Sequence, residues 1–94
     1  MKVTVQKIDD TTFEVEVDAR TRTTHRVNVH PQYYRKLTGG DATVEKLVEA
    51  SFEFLLQRES NTMIMSRFDL PVIGQYFPEY EDVIAQMLSS DSAK

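Results

Sequence analysis

Two histidines, His25 and His30, are the only imidazoles that could ligate a metal or move a proton. Their odd separation points them to opposite faces of a regular strand, so a shared metal would need a bulge and ligands from elsewhere. His25 is therefore expected to border the core and His30 to end its strand. Glu14, Glu16 and Asp18 do share one strand face. Divalent cations want converging oxygens, usually from a tight loop, and a straight strand holds its carboxylates apart. The absence of cysteine excludes disulfides, thiolate metal sites and thiol nucleophiles. No serine sits in a nucleophile elbow, and there is no Gly-rich phosphate loop or metalloprotease spacing. Gly39-Gly40 is read as a helix stop and turn. The residue types thus predict a non-catalytic chain with no catalytic residue, cofactor or metal.

Charge offers a second kind of chemistry. Residues 1–18 carry two lysines against five acids, whereas residues 19–40 carry Arg20, Arg22, Arg26, Arg35 and Lys36 and no acid. Residues 41–94 carry four bases against ten acids, and the net charge is −4. A field of that sign repels phosphate backbones and disfavours nucleic acid as a partner. The basic segment is expected to neutralise the chain's own acids or those of a second copy, with a local anion-facing patch as the other reading.

The elements that would position these groups begin with period two. Val3 and Val5, then Phe13, Val15, Val17 and Ala19, then His25, Val27 and Val29 alternate with polar residues. This predicts three half-buried strands over about 1–8, 12–20 and 23–30. Connections at Asp9-Asp10-Thr11 and Thr21-Arg22-Thr23 make them an antiparallel meander. The register expected sets Val5 opposite Val15, Val17 opposite Val27, and Lys2 and Arg26 on either side of Asp18.

After His30 the spacing becomes helical. Pro31 opens a short helix over 31–37. Thr43 caps a longer one over 43–59, whose apolar positions are Val44, Leu47, Val48, Phe52 and Leu55. Asp69 and Pro71 open a helix over 70–77, and Pro78 opens a last one over 78–88, with fraying from Ser89 onward. The class expected is α+β: a three-stranded antiparallel meander followed by three or four helices on one sheet face, forming one domain over residues 1–94. With 40% apolar and 28% charged residues, disorder and low complexity are excluded. No visible signal peptide and no run approaching a membrane span lead to the expectation of a cytoplasmic protein with no membrane partner.

The most distinctive text is Phe68-Asp69-Leu70-Pro71-Val72-Ile73-Gly74-Gln75-Tyr76-Phe77-Pro78-Glu79-Tyr80-Glu81. It resembles the C-terminal signature of a family of small uncharacterised prokaryotic proteins, a resemblance extending back through Thr43 to Leu56. That resemblance implies no activity, cofactor or catalytic residue. Residues 22–58 (a basic strand, a short helix and a longer amphipathic one) resemble the ribbon-helix-helix DNA-binding fold. That resemblance implies a dimeric regulator or antitoxin in which Thr24, Arg26 and Asn28 read base edges. Arg22, Arg35 and Lys36 would supply the remaining DNA or anion contacts. The chemistry expected first is a protein-interaction module, self-association included, with Tyr33, Tyr34, Tyr76 and Tyr80 as interface aromatics.

Overall fold

The computed structural model describes residues 2–92. Its elements are β1 (Lys2–Lys7), β2 (Thr12–Asp18), β3 (Arg22–Asn28), α1 (Pro31–Thr38), α2 (Val44–Leu56), a 3₁₀ turn (Asn61–Met63), β4 (Arg67–Asp69), α3 (Val72–Tyr76) and α4 (Tyr80–Ser92). The class is α+β, but the sheet has four strands in the order β1-β2-β3-β4 rather than three. The added strand, β4, lies parallel to β3, with Val27 beside Phe68. A parallel neighbour needs a long crossover, and here α1 and α2 lie between the two strands in sequence. Asp69 therefore belongs to β4 and does not cap the helix that follows. That helix is shorter than 70–77 and starts after Pro71, with no side-chain cap.

The β1–β2 register is the one expected, with Val5 opposite Val15 and Lys2 opposite Asp18. Its turn is closed by Asp9, whose Oδ1 accepts from the backbone N–H of Thr11 at 3.0 Å and Thr12 at 2.9 Å. The β2–β3 register differs. Val17 faces Thr23 rather than Val27, Val27 faces Phe13, and Arg26 faces Glu14 rather than Asp18. The turn falls at residues 19–21, so the strands end sooner and start earlier than expected. In this register each acid on the outer row of β2 meets a polar residue of β3: Glu14 with Arg26, Glu16 with Thr24, Asp18 with Arg22.

The even-numbered residues of the meander form a polar outer face, and the odd-numbered ones an inner face on which the helices pack. Phe13, Val15, Val17 and Val27 are fully buried there with Leu47, Val48 and Phe52 of α2. Burying an aliphatic or aromatic side chain contributes roughly 1.5–3 kcal/mol each, so this layer dominates stability. Thr43 caps α2 as expected, accepting from Lys46 N–H at 3.1 Å. Gly39 takes φ 66° and ends α1 in the left-handed region, where a side chain would be strained. α4 packs on α2 and continues past Leu88 to Ser92, beyond the expected end. Ala93 and Lys94 lie outside the described residues.

Candidate contact surface

Two buried polar clusters decide where the C-terminal third sits. His25 Nδ1 lies 2.8 Å from the Met65 carbonyl and Nε2 lies 2.9 Å from Thr23 Oγ1. A carbonyl only accepts, so Nδ1 donates to Met65. The buried Asn61 amide donates to Thr21 O at 2.7 Å and to Thr23 Oγ1 at 2.8 Å. β3 thereby pins both ends of the segment Asn61–Met65 and delivers the chain into β4. His25 does border the core, and its ring packs on Phe52 at 5.4 Å. His30 is exposed at the start of α1.

The second cluster joins α2 to α4. Ser51 Oγ donates to Leu47 O at 2.7 Å and meets the Tyr80 hydroxyl at 2.7 Å. Burial pushes the Tyr80 phenol well above its ordinary value. Tyr80 is 0% exposed and therefore offers no surface to a partner. Tyr33 is half-buried and donates to Glu81 at 2.9 Å, with its phenol pushed up chiefly by burial. Tyr34 is half-buried and donates to the Ala42 carbonyl. Of the four tyrosines singled out in the sequence, Tyr76 alone is exposed, at 67%.

Tyr76 does not stand alone. With Met63 (70% exposed) and Met65 (41%) it rims a groove of about 380 Å³. Buried Leu55, Ile64, Phe68 and Ile73 line it below, and half-buried Phe77 and Glu59 complete it. Single exposed apolar residues are ordinary; a group of them over an apolar floor marks a contact surface. Methionine's flexible thioether suits such a surface because it adapts to what covers it. In the sequence Met63-Ile64-Met65 is no more than an ambiguous apolar triplet. The alternation of exposed and buried within it comes from the His25 and Asn61 ties.

The residues proposed from sequence to contact DNA divide between two places. Arg22, Thr24, Arg26 and Asn28 form one outer row of β3, and Arg26 and Asn28 border an open polar cleft with Thr12, Arg67 and Asp69. Arg35 and Lys36 lie on α1, in the helix layer, and are not brought to that row. The row faces the β2 acids: Arg22 lies 3.5 Å from Asp18 and 4.0 Å from Glu16, and Arg26 lies 4.0 Å from Glu14. Lys36 pairs with Glu81 at 3.4 Å. These exposed pairs contribute no more than about 1 kcal/mol each, but they turn the cations toward the chain's own acids. Strand β3 also has β2 on one side and β4 on the other, so it has no edge to share in a two-stranded ribbon with another chain.

Among the described residues no helix is long and apolar enough to cross a membrane, and no group of three or more His, Asp or Glu is disposed to hold a metal ion. The chain matches no protein-family model, no curated protein and no solved structure.

Proposed function

We propose that this chain is a non-catalytic protein-interaction module whose contact surface is the groove rimmed by Met63, Met65 and Tyr76. The observation that carries the reading is the joint exposure of these three side chains over a buried apolar floor. Covering them would release apolar surface worth roughly 1.5–3 kcal/mol per fully buried side chain, before the cost of ordering. Of the residues lining the groove, only Glu59 and Tyr76 carry titratable groups. Operator binding is not carried forward, because the occupied edges of β3 and the facing acids of β2 weigh against it.

The test is site-specific photo-crosslinking. A photoreactive phenylalanine analogue in place of Tyr76 should give protein adducts on irradiation, and the same analogue in place of Thr24, on the outer face, should not. No adduct from position 76, or as many from position 24, would overturn the reading.

A further inference from the structure

The groove adjoins a free sheet edge whose charges specify what pairs with it. In the β3–β4 ladder, Arg26 N–H donates to the Ser66 carbonyl at 2.7 Å and Leu70 N–H to the Asn28 carbonyl at 2.9 Å. By the alternation of a ladder, Ser66, Phe68 and Leu70 turn their backbone groups toward β3. The N–H and C=O groups of Arg67 and Asp69 therefore face outward, away from the sheet. β4 is the last strand, and both residues are exposed. Among the described residues neither side chain has a hydrogen bond or ion pair. Arg67 instead stands beside a like charge, Arg26, across the β3–β4 pair.

We propose that the occupant of this edge is a second copy of the chain, its β4 antiparallel to the first about a two-fold axis at Phe68. This rests on the groove being a contact surface and names what covers it. The axis sets Arg67 of each copy opposite Asp69 of the other. Those positions exchange both backbone hydrogen bonds, giving four between the copies, and each pair of facing side chains is a cation and a carboxylate. Charge also selects the register. A shift that keeps the side chains on their own faces moves the centre to Arg67 or to Asp69, setting arginine against arginine or aspartate against aspartate. A shift of the other parity turns Phe68 out of the core. On the inner face the two grooves meet, and Met63, Met65 and Tyr76 of both copies lose water together. Such a contact is isologous and closes at two chains.

The test is the mass of the purified chain by sedimentation equilibrium across the micromolar range, for wild type and three variants. Wild type should dimerise. Arg67→Asp and Asp69→Arg should each raise the dissociation constant at least about tenfold, since each leaves like charges facing across the axis. Mixing those two variants should restore dimerisation, because every cation then faces a carboxylate again, and Arg67→Asp combined with Asp69→Arg in one chain should restore it too. Both side chains are exposed, so far-UV circular dichroism should be unchanged. A wild-type chain that stays monomeric, single variants that dimerise as tightly as wild type, or a mixture that fails to recover would each overturn the pairing. Persisting adducts from position 76 alongside any of these would leave the groove as a contact surface for another protein, and loss of those adducts would remove both readings.

Discussion

The two edges of the sheet are built differently. β1 carries Lys2 and Lys7 at its two ends, both exposed, and its inward Val3 and Val5 are only half-buried beside α2. Lysine on an edge discourages pairing with another chain, because the charge must be desolvated or set against its like. β4 carries one cation and one carboxylate on either side of a buried phenylalanine and opens onto an apolar groove. One edge repels a copy of itself, and the other is complementary to a copy of itself. Edges of one small sheet can thus be assigned opposite roles by two or three residues each, with no difference in backbone chemistry.

The most severe way to break this comparison is to unseat β4. Phe68 packs on Phe52 at 6.1 Å and is 8% exposed. Phe68→Ala should lower the unfolding free energy by about 3–5 kcal/mol in urea titration, the usual cost of deleting a core aromatic. A loss below about 1 kcal/mol would mean that β4 is not anchored as described. His25→Ala removes the tie to Met65 and a ring from the core. A loss of about 2–4 kcal/mol is expected by the same titration, with faster amide exchange through Asn61–Met65.

Replacing both lysines of β1 sharpens the contrast without touching the core. Lys2→Val with Lys7→Val should cost less than about 1 kcal/mol, chiefly from the lost Lys2–Asp18 neighbour pair. The same change should turn a closed species into larger ones whose light scattering rises with concentration. An unchanged mass would show that the lysines do not guard that edge. The smallest effect concerns the turn that ends β1. Asp9 is held below its ordinary value of 3.8, first by the Thr11 backbone hydrogen bond. A depressed carboxylate contributes stability that is present above its unfolded value and is lost as pH falls through the folded one. Asp9→Ala should therefore lower the melting temperature slightly at neutral pH, and the difference from wild type should vanish on acidification below pH 3.8. A difference that persists in acid would assign the effect to something other than the carboxylate.

The meander was legible in the sequence because alternation over β1, β2 and β3 is long enough to define a face, and Asp9 marks one turn by its own hydrogen bonds. The second turn is not legible, because neither Ala19-Arg20-Thr21 nor Thr21-Arg22-Thr23 holds a Gly, Pro, Asn or Asp to mark it; the register found sets Arg22 beside Asp18 and Arg26 beside Glu14. Three residues of β4 have no readable period, and their partner, β3, is far away in sequence. The groove was hidden for a related reason. Tyr76 and Tyr80 occur in one aromatic stretch, yet one is 67% exposed and the other 0%. Tyr80 is held in the core by the Ser51 hydroxyl at 2.7 Å and the Phe54 ring at 5.3 Å, contacts between segments the sequence keeps apart.

The difference between the edges is read most directly by amide hydrogen exchange at low and high protein concentration. Ile8 N–H donates to Thr12 O at 2.9 Å, so the alternation points the backbone N–H and C=O groups of Val3, Val5 and Lys7 away from β2, as those of Arg67 and Asp69 point away from β3. Exchange at Arg67 and Asp69 should slow as concentration rises, while Val3, Val5 and Lys7 stay unchanged. Exchange at Arg67 and Asp69 that is independent of concentration, or slowing at β1 instead, would contradict the account.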